Sequence, residues 1–282
     1  MRLDRALTLA VVSPLRSASQ RTAAAPAPVL MYHSVSEDPE TGVAPYYRLA
    51  TPPALFEEHL QILKSRGFVG VDLATLMSRP TPSGGGRPVV ITFDDGFRDF
   101  HTHAWPLLQR HGFTATMFLP TAFIHESRQA FKDRECMTWP EIRDLNRAGI
   151  TFGSHTVNHP KLATLPEAEL RTELVVSRQT IERELSRPID TFAHPYAFPE
   201  ADRDYVRRYR RCVTEAGYRY AVTTTIGRTA TSDAPDLIKR LPVNGADDAA
   251  FFSAKLEGHY DWMGRVQSAL RRVKRLLQPA RR

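Results

Sequence analysis

One apolar segment ends in two adjacent acids, and this feature limits what the chain can fold into. Residues 88–93, PVVITF, are rich in β-branched side chains and are followed by Asp94, Asp95 and Gly96. The pattern predicts a buried strand that delivers paired carboxylates to a turn. In barrels and open α/β sheets, chemistry sits at the carboxyl ends of strands. One acid can then bind a metal while the other acts as a base, although an ordinary Asp-Gly turn fits the same residues.

A second predicted strand, residues 149–153, leads into His155 and His159. Two histidines four positions apart face the same way on one helical turn, so we predict a helix start here. Two imidazoles and one carboxylate form a three-ligand site with open positions, which is the catalytic pattern for zinc. Two surface histidines at a helix start would give the same sequence. The combination with the paired acids favours a metal site.

Strand-like and helix-like segments alternate along the chain, which predicts parallel β/α units. Predicted strands cover 29–32, 68–71, 88–93, 114–119, 149–153, 191–193, 220–225 and 238–242, and predicted helices cover 53–66, 73–77, 102–110, 139–148, 165–185 and 202–216. A chain of 282 residues suits one α/β barrel with extensions. No apolar run is long enough for a spanning helix.

The paired acids Asp94 and Asp95 and the histidine pair His155 and His159 resemble motifs of the polysaccharide deacetylase family (NodB-like, carbohydrate esterase family 4). The resemblance covers residues 29–243. It implies a distorted (β/α) barrel and a metal-dependent hydrolase. The expected substrate is an acetylated amino-sugar polymer or its precursor, which loses N-acetyl groups from N-acetylhexosamine units. In the family pattern Asp94 is the catalytic base, and Asp95, His155 and His159 hold a divalent ion. Zinc is the expected metal, although cobalt, nickel or iron suits the same ligands.

A third family motif matches residues 192–196, FAHPY. The resemblance places Pro195 and Tyr196 at the substrate, with the Tyr196 N–H in the oxyanion hole. The family often has an arginine here that is oriented toward the base, and this chain has Ala193. The late Leu-x-His motif, which supplies the catalytic acid, is also missing after Thr223.

Residues 29–35, VLMYHSV, resemble the rearranged subgroup that acts on poly-N-acetylglucosamine, in which the acid histidine comes from an N-terminal strand. The first and last strands of a closed barrel are neighbours, so this rearrangement is possible. His33 is therefore the expected general acid. A buried, hydrogen-bonded histidine at a strand end is the alternative interpretation of His33.

Three other functions stay open. One is amide hydrolysis on a lipid- or nucleotide-linked sugar, and another is O-acetyl ester hydrolysis at the same site. The third is a catalytically weakened carbohydrate-binding protein, which only Ala193 favours.

The net charge of +7 belongs to the end of the chain. Residues 265–282 contain seven basic residues and no acid, and without them 31 basic residues balance 31 acidic ones. Val266, Leu270, Val273 and Leu277 recur at helical spacing. This predicts a basic amphipathic helix that makes peripheral contact with an anionic membrane or packs its apolar side on the domain. Nucleic acid is not an expected partner, because no aromatic residues interleave with the charges.

We predict three regions: a leader over residues 1–28, flexible or forming a short helix, a deacetylase domain over 29–245, and the helical tail over 246–282. The apolar stretch 6–12 is at the short limit for a signal peptide. We therefore expect a cytoplasmic protein, with peripheral contact at the inner membrane face as an extension, and secretion stays open. Cys136 and Cys212 match no metal or redox spacing.

Overall fold

The computed structural model describes residues 2–15, 26–78 and 85–277, with side chains described as far as residue 271. Its main sheet contains eight parallel strands. Including the smaller sheets, the described residues form twelve strands: β1 (Val29–Tyr32), β2 (Ser34–Val35), β3 (Ala50–Thr51), β4 (Phe68–Gly70), β5 (Arg87–Phe93), β6 (Thr116–Leu119), β7 (Ala130–Phe131), β8 (Arg134–Glu135), β9 (Thr151–Ser154), β10 (Thr191–Ala193), β11 (Tyr220–Ile226) and β12 (Ile238–Pro242).

Seven of these strands close into a barrel in the order β1-β12-β11-β10-β9-β6-β5, and the ring is completed where β5 pairs with β1. The eighth strand, β4, pairs with the first half of β5 outside the ring. β2–β3 and β7–β8 are separate two-stranded sheets. The predicted (β/α) barrel is confirmed, and so is the idea that the first and last strands are neighbours, since Leu30 of β1 pairs with Leu241 of β12.

Helices follow most strands and cover the outside of the barrel. They are α1 (Leu3–Leu7), α2 (Ser13–Leu15), α3 (Pro53–Ser65), α4 (Leu73–Ser78), α5 (Trp105–His111), α6 (Trp139–Arg147), α7 (Glu167–Leu185), α8 (Arg203–Glu215), α9 (Ala249–Leu256) and α10 (Asp261–Leu277). A π-helical segment, Thr8–Val12, joins α1 to α2, and another, Phe100–Ala104, precedes α5. Most predicted helices lie within one or two residues of these bounds.

The barrel interior is apolar at the amino ends of the strands and polar at the carboxyl ends. Val90, Val222 and Ile238 form a buried cluster with Phe118, and α4 packs against this cluster. Gly153 of β9 makes room for the phenyl ring, because a Cβ there would lie 2.6 Å from Cε1 of Phe118. The packed layer supports the polar groups at the carboxyl ends, where the strand-end motifs meet.

The amino-terminal helical segment packs against the carboxyl-terminal helices. Arg2 pairs with Asp247 just before α9 at 2.9 Å, and the Tyr260 hydroxyl donates to Asp4 at 2.7 Å. Phe251 of α9 is fully buried in the main core. α9 therefore completes the core of the barrel beyond the predicted domain end at residue 245. The second half of the predicted leader, residues 16–25, lies outside the described residues.

Helix α10 contacts the barrel mainly through polar groups. Gln267 accepts a hydrogen bond from the Ile226 N–H at the end of β11 (3.1 Å), and Ser268 donates to Glu200 (2.6 Å). Met263, near the start of the helix, packs against the main core, whereas Leu270 is 58% exposed. None of the helices within the described ranges combines the length and apolar character that a membrane crossing requires.

Candidate metal centre and active site

Asp94 lies at the carboxyl end of β5 and faces the barrel interior. Side chains alternate along a strand, so Asp94 points the same way as Thr92. Arg240 of β12 donates to both carboxylate oxygens, from Nη1 to Oδ1 at 2.7 Å and from Nη2 to Oδ2 at 2.8 Å. Burial alone would raise the pKa of Asp94, but Arg240, His155 and His33 together outweigh burial and hold the pKa well below its usual range. Asp94 is therefore ionised at neutral pH.

Asp95 reaches the same site although it is the next residue along the chain. A continued strand would point it to the opposite face, but its φ of +75° turns the backbone sharply. Its Oδ1 lies 3.7 Å from His155 Nε2 and 3.3 Å from His159 Nε2. Its Oδ2 accepts a hydrogen bond from Lys132 Nζ at 3.0 Å. The backbone turn is what lets two adjacent acids act at one place.

The segment that carries the two histidines is a loop, so the predicted helical turn is wrong. Thr156 has a φ of +73° and His159 a φ of +54°, and such left-handed residues cannot continue a right-handed helix. Glu173 of α7 stabilises the loop, because its carboxylate accepts hydrogen bonds from two consecutive backbone N–H groups at 2.7 and 3.0 Å. The loop, not a helix face, brings the imidazoles together.

Both imidazoles are prepared to act as neutral ligands. His155 Nδ1 lies 2.8 Å from the Ala193 carbonyl oxygen, which can only accept, so Nδ1 carries the proton and Nε2 is left for a ligand. Burial lowers the pKa of His155. Burial also lowers the pKa of His159 to about 3, and a second protonated imidazole there would in addition be repelled by His155 and by Lys132. Neutral histidine is the form that binds metals.

The three side chains predicted to bind a metal fit a divalent ion. Each of the residues Asp95, His155 and His159 offers one ligand atom, and these three atoms lie within 4.8 Å of one another. All three residues are buried. Among the described residues, Asp95 Oδ1 is buried and has no hydrogen-bond partner. A buried carboxylate oxygen without a partner is costly, and a cation between it and the imidazoles would satisfy it.

His33 directly follows β1 and lies beside the paired acids. Its Nε2 is 4.0 Å from Asp94 Oδ2, and its side chain is 19% exposed. Burial lowers the pKa of His33, and the charges of Asp95 and Asp94 partly oppose this effect. The predicted acid and the predicted base therefore lie next to each other, at the open end of the barrel.

Tyr196 lies at the rim of the same site, after β10. Its φ is +57°, its ring centroid is 4.6 Å from that of His159, and it is 46% exposed. Thr224 of β11 donates to the Tyr196 carbonyl oxygen at 3.1 Å, which fixes the backbone of the loop. Pro195, the other predicted substrate residue, precedes it in this loop. The loop adjoins the predicted metal ligands.

Backbone strain in the described chain is concentrated here. Eight non-glycine residues have positive φ, a conformation that costs free energy outside glycine. Six of them surround the site: Asp95, Lys132, Asp133, Thr156, His159 and Tyr196. Strain that clusters at one place is typical of functional sites.

Two residues of the site, Arg240 and Lys132, are not among those predicted from the sequence. Arg240 is fully buried and contacts Asp94 from β12, so the absence of an arginine at Ala193 does not leave the base without a cationic partner. This removes the one argument for a weakened binding protein. A signal was present, because Lys239 and Arg240 are adjacent in a predicted strand of a closed barrel and one of them must face inward.

Comparisons with known proteins identify similar chains. A family model described as polysaccharide deacetylase matches residues 82–221. The putative polysaccharide deacetylase YxkH of Bacillus subtilis is 25% identical over 232 residues, which cover 82% of this chain and 76% of that protein. The poly-beta-1,6-N-acetyl-D-glucosamine N-deacetylase of Staphylococcus aureus is 25% identical over 143 residues, which cover 48% of this chain and 47% of that enzyme.

Solved structures share the fold. The deacetylase PplD of Streptococcus pyogenes, in complex with acetate, superposes with a TM-score of 0.68 at 22% identity, over 82% of this chain and 98% of that one. IcaB from Ammonifex degensii superposes with a TM-score of 0.66 at 20% identity, over 83% of this chain and 97% of that one. The chain therefore contains a polysaccharide deacetylase domain with the NodB-like barrel fold.

Proposed function

We propose that this protein is a divalent-metal-dependent hydrolase that removes N-acetyl groups from N-acetylhexosamine units of an exopolysaccharide or its precursor. One observation carries the proposal. An ionised carboxylate held by Arg240 lies beside a buried three-ligand site, and the two sites are built on the adjacent residues Asp94 and Asp95. Asp94 can therefore act as a base while the adjacent Asp95 acts as a metal ligand in the same site.

Asp95, His155 and His159 would hold the ion, and we propose zinc because a carboxylate and two imidazoles suit it. When bound, a divalent ion polarises the amide carbonyl and acidifies water. The hydrogen bond from Lys132 to Asp95 and the hydrogen bond from His155 Nδ1 to the Ala193 carbonyl oxygen orient the ligands before any ion arrives.

Asp94 takes a proton from the attacking water, and Arg240 keeps the carboxylate ionised and correctly turned for this step. The Tyr196 N–H stabilises the charge that develops on the carbonyl oxygen. His33 then donates a proton to the departing amine nitrogen, which is a poor leaving group without it. Burial lowers the pKa of His33 and so favours release of this proton. Asp94 Oδ2, which takes a proton from the water, lies 4.0 Å from His33 Nε2 and can return a proton to it.

The name of the staphylococcal relative supports a β-linked poly-N-acetylglucosamine as substrate, since that protein is described as an N-deacetylase of this polymer. The matched region is about half of each protein, so the polymer is part of the proposal. Amide hydrolysis on a lipid- or nucleotide-linked sugar and O-acetyl ester hydrolysis use the same groups and are the alternatives.

The test is to incubate the purified protein with N-acetylglucosamine oligomers and to measure acetate and free primary amine together, with zinc, with a chelator, and for Asp95→Ala. The proposal predicts one amine per acetate, with release lost after chelation and in the variant. Acetate release from an O-acetylated glycan without new amine would identify an esterase. No release from any oligomer by the zinc-loaded protein would contradict a polymer substrate.

We further propose a cytoplasmic location with peripheral contact between α10 and an anionic membrane. Val266 and Leu270 are exposed on this helix, and so is the neighbouring Arg265. Exposed apolar residues beside basic ones support binding to an anionic membrane surface. Sedimentation with vesicles that contain phosphatidylglycerol tests it. We expect binding that salt weakens and that Leu270→Glu abolishes, and equal sedimentation of the variant would contradict it. Fractionation of expressing cells tests the location.

A further inference from the structure

A two-residue hairpin turn carries Lys132 into the site. Phe131 of β7 pairs with Arg134 of β8, so Lys132 and Asp133 are the two turn residues, with φ values of +51° and +60°. Tight hairpins of this kind require positive φ at both positions and normally have asparagine, aspartate or glycine at the first and glycine at the second. The chain adopts this strained turn with a lysine and an aspartate, which points to a role for what the turn presents.

The hairpin is fixed on both sides, so the position of its tip is well defined. Arg134 donates to Ser34 of β2 at 3.0 Å and pairs with Asp38, which follows β2, at 2.6 Å. On the other side, the Phe131 ring lies 4.2 Å from the Phe123 ring and 5.2 Å from that of His159, between centroids. These contacts join the hairpin to the metal-ligand loop and to the segment that follows β1.

The two oxygens of the Asp95 carboxylate have different surroundings because Lys132 contacts only one of them. Lys132 Nζ donates to Oδ2 at 3.0 Å. The other oxygen, Oδ1, faces His159 and His155 and has no hydrogen-bond partner among the described residues. One oxygen is therefore engaged by a cation from the hairpin, and the other is presented to the two imidazoles.

We propose that Lys132 is a positioning residue that makes Asp95 a one-oxygen ligand, by holding Oδ2 so that only Oδ1 reaches the ion. Groups that hydrogen-bond to metal ligands fix their orientation and tune the site. The inference rests on the metal site of the proposed function. It adds that the strained hairpin sets the number of ligand atoms and keeps a coordination position open for substrate and water.

The test uses cobalt as a spectroscopic probe in the folded, full-length protein, because the visible absorption of cobalt reports coordination number. Lys132→Met removes the hydrogen bond and frees Oδ2 to bind. We expect the visible bands of the cobalt-saturated variant to weaken several-fold, as they do when coordination number rises. Lys132→Arg, which retains a donor and the charge, should restore most of the wild-type intensity.

Lys161→Met is the matched control. Lys161 Nζ lies 5.7 Å from the centroid of the Tyr196 ring, and Lys132 Nζ lies 5.8 Å from the same centroid, but the described hydrogen bond to Asp95 comes from Lys132 alone. Lys161→Met therefore removes a positive charge near the site but keeps the hydrogen bond to Asp95, whereas Lys132→Met removes both. A cobalt-saturated Lys132→Met protein with the wild-type spectrum, or an equal change in Lys161→Met, would overturn the proposal. Failure of the wild type to bind cobalt would instead contradict the metal site itself.

Discussion

Arg240 shows how much a single buried residue determines in this site. Its guanidinium reaches Asp94 with two nitrogens, Thr92 with one of them, and the Thr223 carbonyl oxygen with Nε. Such a planar, two-pronged contact fixes both the charge and the orientation of a carboxylate. Lysine could satisfy the charge but not the orientation.

The Asp94–Arg240 pair predicts an acid-dependent stability. Because the folded pKa of Asp94 lies below its ordinary 3.8, the pair stabilises the protein fully above that value and loses its effect as pH falls toward the folded pKa. Asp94→Asn leaves a buried arginine without its ionic partner, which we expect to cost about 3 kcal/mol at neutral pH. Urea unfolding of the metal-free proteins should show that the difference between wild type and variant shrinks in acid. A difference independent of pH would contradict the assignment.

His33 makes a second prediction at this scale. If it donates the proton to the leaving amine, His33→Gln should lower kcat by about 100-fold or more without changing metal content. The measurement is acetate release together with zinc content for both proteins. A small loss of rate would return His33 to the role of a buried structural histidine.

Among the elements, the amino-terminal helix is joined to α9 by a buried ionic network. Asp247 is fully buried and pairs with both Arg2, at 2.9 Å, and Lys255, at 2.7 Å. The His59 ring donates from Nε2 to the Asp247 carbonyl oxygen and accepts at Nδ1 from the Tyr32 hydroxyl of β1. The network therefore extends from the first helix to the strand that precedes His33.

This network predicts unequal effects of two arginines, Arg2 just before α1 and Arg5 within it. Arg2→Ala breaks a buried pair and should lower the free energy of unfolding by about 3 kcal/mol. Arg5 pairs with Asp248 at the surface, where the side chains are 37% and 53% exposed, so Arg5→Ala should cost less than about 1 kcal/mol. Chemical denaturation measures both. Equal losses would mean that the helix contributes only through general packing.

At the scale of the whole molecule, the barrel explains what the sequence could and could not predict. Local signals were sufficient for strands such as β5 and for the identity of Asp94 and Asp95, because apolar β-branched runs and strand-end acids are short-range patterns. The histidine loop was mistaken for a helix because its two left-handed residues leave no composition signal. Arg240 acts through a strand brought beside β1 by barrel closure, and Lys132 through a hairpin, and both depend on long-range contacts.

The most direct test of the account compares two neighbouring substitutions of the same kind, Asp94→Asn and Asp95→Asn. Bound zinc and acetate release from N-acetylglucosamine oligomers would be measured on the same samples. The account predicts that Asp94→Asn keeps a full complement of zinc and loses nearly all turnover, while Asp95→Asn loses both zinc and turnover. An Asp94→Asn protein with the wild-type rate, or an Asp95→Asn protein that binds zinc normally and remains active, would contradict the division of labour between the paired acids.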